Sequence, residues 1–451
     1  MSEDGGIPAA DPVFRRHDAP GSVRFVHAAD LHLDAVFAGM ARDVSPEAIR
    51  RLHQATFTAL DNLFALCERV RPDLLLLGGD MYNQEDWSLR AQLAVRDGCV
   101  RLGQLGTRVF IVHGNHDPLP SRLRTLHWPD CVTIFGEEVS AQIVWRGETP
   151  LAVVHGVSHA GSKENRNLAA NFARTPEACL HIGLLHTTLD EAEGERYAPC
   201  STEDFVASGL DYWALGHIHD CRVACQTPLA QYPGSIQGLH IGEQGPHGCL
   251  LVTATPQDGG FAFASSFQPL GPVEWRILDV PAAEEATLDE LENAARALLA
   301  ETVLATVTAR SRDAGLVMPC TALIVRLRIS GRTRLDAALR HPATLADLLE
   351  RLRSDNTGEP LIWIKDLEVD TRPLLDRGAM AGREDLPGEI LRLADRCRED
   401  PDLLAGLPEA ALGDLYGHLR ARKVLAVPDE AELRALLHRA EALCLDLLEN
   451  E

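Results

Sequence analysis

The chain has 451 residues, 45% apolar and 24% charged, with a formal net charge of -23. That length suffices for two or three domains, and the composition is that of an ordinary soluble globular protein. The acid excess argues against a broad nucleic-acid-coating surface. It leaves room for a nuclease, because metal ions or a partner subunit can supply positive charge locally. No apolar run nears the roughly 20 residues that a membrane span needs. Residues 1–22 carry early acids and no apolar core, so they read as a mobile tail and not as a secretory signal, which points to the cytoplasm. The 11 cysteines are scattered. Cys221 and Cys225 have the wrong spacing for a zinc knuckle or a Cys-x-x-Cys motif, so reduced, mostly structural thiols are expected.

Val23 to Ala28 reads as a first strand and runs into Asp30-Leu31-His32. On an extended segment, residues two apart point the same way, so Asp30 and His32 can address one point and suit a borderline divalent metal. The alternative is an Asp helix cap beside a surface His. Ser45-Pro46-Glu47 opens a helix, with Ser45 as cap and Pro46 in the first turn. Ile49, Leu52, Leu60, Leu63, Phe64 and Cys67 give it an apolar face. Leu74 to Leu77 is an all-apolar strand ending in Gly78-Gly79-Asp80, where the glycines allow a sharp turn close to a ligand. Trp87 to Gly103 reads as the next crossover helix. The apolar run Val109 to Val112 then delivers Gly114-Asn115-His116-Asp117 to the loop leaving a strand, where ligands gather in open α/β sheets. A polar turn is the bland reading of that tetrapeptide. The order β-α-β-α-β predicts parallel pairing with right-handed crossovers.

From Cys131 the pattern turns to short strands. Val132 to Phe135, Ala141 to Trp145 and Leu151 to Val154 suggest a second sheet packed against the first. Asn165 to Phe172 reads as helical, and His155 as a strand-end packing residue. His181 to His186 is a strand ending in histidine, and Tyr212 to Gly216 is a buried strand delivering His217-Ile218-His219. Cys249 to Thr253 is a further strand, and Phe261 to Phe267 is expected to close the second sheet. Residues 271–375 look like a separate α+β module with no metal-ligand cluster. In it Trp275 to Val280, Thr321 to Ile329 and Leu361 to Val369 are strands, and Leu288 to Thr308 and Leu345 to Arg353 are helices. Residues 376–451 are mostly amphipathic helix, broken near Val427-Pro428. That region is either a hairpin with a solvated acidic face or a docking element for a partner.

Asp30/His32, Asp80, Asn115/His116, His186 and His217/His219 therefore all follow apolar strands, in order, in one chain. Each has a structural alternative, but their joint occurrence points to a single site. Mixed oxygen and nitrogen ligands suit manganese, iron or zinc better than calcium or magnesium. Two such ions can activate a shared water and clamp a phosphate, leaving the protein to orient the substrate and protonate the leaving oxygen. An imidazole can supply that proton near neutral pH.

Asp30-x-His32, Gly79-Asp80, Gly114-Asn115-His116-Asp117, His186 and Gly216-His217-x-His219 resemble the five motifs of the calcineurin-like metallophosphoesterases, and the match runs through about Cys249. Within that superfamily the chain looks like the SbcD-type DNA repair exonucleases, especially their YhaO-like branch. The stretches His27 to Asp34, Tyr212 to His219 and Tyr232-Pro233-Gly234-Ser235 carry this finer likeness. The resemblance implies an α/β/β/α two-sheet sandwich over 23–270, an α+β cap over 271–375 and terminal helices. It implies two divalent ions, Mn2+ by family preference, with Fe2+ or Zn2+ as alternatives. Asp30, His32, Asp80 and His219 would hold one ion. Asp80, Asn115, His186 and His217 would hold the other. His116 would protonate the leaving oxygen, and Asp117 would orient it.

The implied partners are DNA and an SbcC-like coiled-coil ATPase, with a homodimer as a further family expectation and no membrane. One departure stands out: Asn83 replaces a histidine that nuclease members often carry, and an amide cannot donate a proton as imidazolium does. The reading is a metal-dependent DNA phosphodiesterase. Its rivals are a phosphoesterase of small diesters or nucleotides, which the acidic charge and Asn83 favour, and a scaffold that has lost catalysis.

Overall fold

Leu74–Leu77 forms β2, four leucines buried on both faces. Such a run belongs in the middle of a covered parallel sheet, where each side chain contributes about 1.5–3 kcal/mol by burial. The computed structural model describes residues 20–35, 37, 46–82, 88–119, 126–190, 197–284, 286–312, 318–354, 358–374, 377–408 and 428–448. In it β2 lies parallel between β1 (Val23–Ala28) and β3 (Arg108–Ile111), and β4 (Val132–Ile134) extends the parallel order beyond β3. Helices α1 (Pro46–Val70) and α2 (Leu89–Gln104) make the crossovers and cover one face. Ser88 caps α2 by accepting from the Ala91 N–H at 3.1 Å.

The second sheet has the order β5 (Ser140–Arg146), β6 (Thr149–Gly156), β7 (Leu180–His186), β8 (Tyr212–Gly216), β10 (Leu229–Tyr232), β9 (Arg222–Gln226). The two sheets pack face to face through Phe25, Leu76, Phe110, Val154, Ile182 and Tyr212. Trp213 faces the other way, under Phe172 and Phe205 of α3 (Thr202–Ser208). The layers are therefore helix, sheet, sheet, helix.

Four expectations from the sequence need correction. Val132 to Phe135 pairs with β3 in the first sheet, not the second, because the Val109 N–H donates to the Cys131 carbonyl and sets a parallel register. Phe261 to Phe267 also lies in the first sheet. It is part of β12 (Gly260–Pro269), which forms a hairpin with β11 (Gly248–Gln257) across the tight Asp258-Gly259 turn, and β11 pairs antiparallel with β1. Asn165 to Phe172 holds only a 3-10 turn at Ala169–Asn171. Ile49 is 39% exposed and is not part of the α1 core face. Ser45, Asn83, Trp87 and Val427 lie outside the described residues.

The chain divides into two compact units. One comprises residues 1–281, 287–330 and 339–370, and the other 282–286, 331–338 and 371–451. A three-stranded sheet of β13 (Val273–Pro281), β14 (Ala322–Arg332) and β15 (Leu361–Arg372) follows the two large sheets. Its β13 and β14 are parallel and joined by α4 (Leu288–Arg312). Buried Trp275 packs with Leu52 and Ala55 of α1 and donates its indole N–H to the Gly238 carbonyl at 2.8 Å. Arg310 and Glu274 form a buried ion pair at 2.7 Å. Helices α5 (Asp336–Leu339) and α6 (Pro342–Arg353) lie between β14 and β15. In the second unit, α7 (Arg377–Ala381), α8 (Leu386–Glu399) and α9 (Glu430–Leu448) meet through Met380, Leu391 and Leu445, with Arg398 and Glu441 paired at 2.5 Å. Among the described residues, no helix is long and apolar enough to cross a membrane.

Buried His27 of β1 joins the two sheets, its Nε2–H donating to the Leu215 carbonyl at 3.0 Å. Burial pushes its imidazole down to about 3. The native state thus refuses a proton that the unfolded chain accepts below about pH 6.5. Its contribution is complete above that pH and is lost as the pH falls toward 3. Between pH 6.5 and 4.5 the loss amounts to about 2–3 kcal/mol. Urea unfolding of the native chain and His27→Gln across that range should show a shallower slope in the variant, and parallel profiles would refute this account.

Candidate metal centre

The carboxyl ends of β1, β2 and β3 from one sheet meet those of β7 and β8 from the other. The β1 and β2 loops run side by side past their strands: Asp30 N–H donates to Gly79 O, His32 N–H to Asp80 O and Leu33 N–H to Met81 O, each at 3.0 Å. They do so in left-handed conformations, with φ of 52° at Asp30, 40° at His32 and 49° at Asp80, while His217 has φ 105°. Non-glycine residues avoid that region. Each such residue costs about 1–3 kcal/mol, and such costs gather at functional sites. Asp30 and His32 thus converge through a left-handed turn and not through the extended spacing expected from the sequence.

Close packing holds the loops together. A Cβ on Gly216 would lie 2.0 Å from the Gly78 carbonyl oxygen, and one on Gly79, whose φ is 97°, would lie 2.6 Å from His186 Nδ1. That same Gly78 carbonyl accepts the His186 Nδ1–H at 2.9 Å and leaves Nε2 facing the centre.

The potential ligand atoms fall into two overlapping groups. Asp30, His32 and His219 form one, and Asp30, Asp80 and His186 the other, with the atoms of each group within 4.8 Å of one another. His32 Nε2 lies 3.2 Å from His219 Nε2, and His186 Nε2 lies 3.0 Å from Asn115 Oδ1 and 3.3 Å from Asp80 Oδ2. His217 donates its backbone N–H to both Asp30 oxygens at 3.1 Å, and its ring centroid is 5.2 Å from that of His186. Facing imidazole nitrogens backed by two buried carboxylates fit divalent cations, since all these atoms can present lone pairs to one point.

Electrostatics agrees with that fit. Burial would raise the Asp80 carboxyl, but His186, His32 and His116 outweigh it and hold the group well below the usual carboxylate range. Burial raises Asp30 against the pull of His186 and His219. Burial would lower His186 and His219, yet Asp80 lifts the first and Glu243 and Asp30 the second, both to about 9. Burial and the neighbouring His186 push His217 down to about 3.

His116 is exposed at the edge of this buried cluster, its N–H donating to Asp80 Oδ1 at 2.9 Å and its ring 5.2 Å from that of His32. The resemblance implied that Asp117 orients His116; its carboxylate is bonded to the loop that carries that residue. The Asp117 carboxylate accepts from the Gly114 N–H at 2.8 Å and the Met81 N–H at 3.1 Å, and lies 3.2 Å from His113 Nδ1. It fixes the loop backbone around His116. His155 pairs with His181 at 3.1 Å, in line with its packing role.

Three residues that the motifs did not flag also support the centre. Glu243 lies 2.5 Å from His219 Nδ1, His113 backs Asp117, and the Tyr197 ring lies 5.1 Å from that of His217. His159 donates Nε2–H to the His186 carbonyl at 2.7 Å.

Comparison with known proteins gives the same picture. Residues 23–221 match the family described as calcineurin-like phosphoesterase, and residues 275–372 match the middle domain of metallophosphoesterase YhaO. The chain is 34% identical over 353 residues to "Uncharacterized metallophosphoesterase YhaO" of Bacillus subtilis, covering 77% of this chain and 81% of that protein. The chain belongs to the calcineurin-like metallophosphoesterase family. More distant relatives of this metallophosphoesterase include the DNA double-strand break repair protein Mre11 of Aeropyrum pernix, 27% identical over 49% of this chain and 55% of that protein. The double-strand break repair protein mre-11 of Caenorhabditis elegans is 23% identical over 55% of this chain and 42% of that protein. Family membership makes the chain a hydrolase of phosphoester bonds that uses divalent metal ions.

Gly216→Ala should force the two sheets' loops apart, destabilise the fold by about 1–3 kcal/mol and weaken Mn2+ binding. Gly136→Ala, which meets open space, should do neither. Urea unfolding and metal titration check both, and a fully stable Gly216→Ala that keeps its metal affinity would contradict the close-packing account.

Proposed function

We propose that this metallophosphoesterase hydrolyses DNA phosphodiester bonds, as a manganese-dependent exonuclease or single-strand endonuclease of the SbcD type. The observation that carries the reading is His116, an exposed imidazole at the rim of a buried Asp/His cluster, where a bulky substrate can reach it from solvent. The likeness to two double-strand break repair proteins supports DNA as the substrate.

Asp30, His32, Asp80 and His219 would hold one ion, and Asp80, Asn115, His186 and His217 the other, with Asp80 shared. When bound, such ions lower the pKa of a water and offset the charge of the phosphate. The chain's own residues do the rest. The Gly78 carbonyl and Glu243 fix the faces that His186 and His219 present. The Asp117 carboxylate ties Met81 and Gly114 into one rigid loop. His116 holds a proton and delivers it to the leaving 3'- or 5'-oxygen.

DNA repair in the cytoplasm, action beside an SbcC-like ATPase docked on the terminal helices, and a homodimer complete the proposal. The domain limits read from the sequence, 23–270, 271–375 and 376–451, are part of it. The net charge of -23 favours one rival, a small phosphodiester or nucleotide as substrate.

With Mn2+ and end-labelled single- and double-stranded DNA, the native chain should cleave, and His116→Ala should lose about 10²–10⁴-fold in rate with its metal content unchanged. Turnover of an aryl phosphodiester without DNA cleavage, even with an SbcC-type ATPase present, would establish the small-substrate rival instead.

A further inference from the structure

Glu243 stands outside every motif discussed above. Its carboxylate is buried, with His219 Nδ1 at 2.5 Å and His240 Nε2 at 3.6 Å from Oε1 and the Leu239 N–H at 2.5 Å from Oε2. The turn that carries it is closed by the Glu243 N–H donating to the His240 carbonyl at 2.9 Å, and His247 Nε2 lies 3.3 Å from the Glu243 carbonyl. The side chain therefore has little freedom. With Nδ1 donating to Glu243, the lone pair of His219 lies on Nε2, which faces His32 Nε2 at 3.2 Å and Asp30 Oδ1 at 4.0 Å.

The opposite side of the centre is built differently. There His186 Nδ1 donates to a neutral carbonyl, that of Gly78, and the neighbouring oxygen comes from the Asn115 amide. A carboxylate behind an imidazole raises its basicity and locks its orientation more than a carbonyl does. Asp30 belongs to both clusters and Asp80 to that of His186, so what sets the His32–His219 side apart is Glu243, a carboxylate behind an imidazole where the Asn115 side has a neutral carbonyl.

We propose that Glu243 is a positioning residue that makes the Asp30–His32–His219 site the tighter of the two metal sites. This rests on the two-ion reading of the centre but not on the identity of the substrate. Free Mn2+ followed by electron paramagnetic resonance, titrated against the full chain, should resolve a tight and a weak site. Glu243→Gln keeps the size but offers one acceptor where two N–H groups need one each. It should weaken the tight site by about 10–100-fold and the weak site by less than about threefold. Glu243→Asp, which keeps the charge on a shorter arm, should fall between native and Glu243→Gln.

Equal weakening of both sites in a folded Glu243→Gln, or no weakening, would overturn the proposal. A native chain that binds no Mn2+ would overturn it together with the two-ion reading, whereas failure to cut DNA would leave the metal titration intact as a test. If Glu243→Gln does not fold, nitrogen-15 histidine spectra of the native chain with zinc decide the matter. The signal lost in His219→Gln should show a protonated Nδ1 and a metal-bound Nε2. Binding through Nδ1, or an Nδ1 without a proton, would overturn the proposal.

Discussion

Two carboxylates, Asp30 and Asp80, are buried in the same small volume between the ends of two sheets. Like charges removed from water are costly unless positive charge joins them. That constraint explains most of what surrounds them. The imidazoles of His32, His186, His217 and His219 gather around them. Burial would lower His186 and His219, but Asp80, Asp30 and Glu243 push both up, so positive charge is favoured beside the carboxylates.

The backbone bears the cost of this arrangement. Asp30, His32, Asp80 and His217 all occupy conformations that non-glycine residues avoid. Such strain persists only where the surroundings over-determine it. Here the surroundings are rigid. The β1 and β2 loops bond to each other beyond the last paired residues of their strands, Gly216 sits against the Gly78 carbonyl, and His27 and Tyr212 join the sheets below. The sheet sandwich is thus the device that holds a strained, charged centre in one shape. The exposed His116 is attached to it only at the rim.

Much of this was legible in the sequence where a local pattern decides the outcome. The four leucines of β2, the apolar runs of β7 and β8 and the helical face of α1 were readable because burial leaves a periodic record. Sheet membership was less so: Val132 to Phe135 and Phe261 to Phe267 were recognisable as strands, but which sheet receives a strand depends on partners far along the chain. The ligand residues were visible as polar residues after apolar runs. The left-handed backbone that aims Asp30 and His32 was not, since neither is a glycine. Glu243 was illegible for a similar reason. It lies 24 residues from His219 in a loop with no periodicity, and only the fold brings the two together. The contacts of Asp117 with the Gly114 and Met81 N–H groups were likewise not readable from its place beside His116.

The central claim is that the ends of five strands build one centre for two divalent ions that share Asp80. Anomalous diffraction from crystals grown with Mn2+ tests it most directly. The account predicts two peaks about 3.5–4 Å apart, both in contact with Asp80, one beside His32 and His219 and the other beside Asn115 and His186. A single peak at full occupancy, or ions bound away from Asp80, would contradict it.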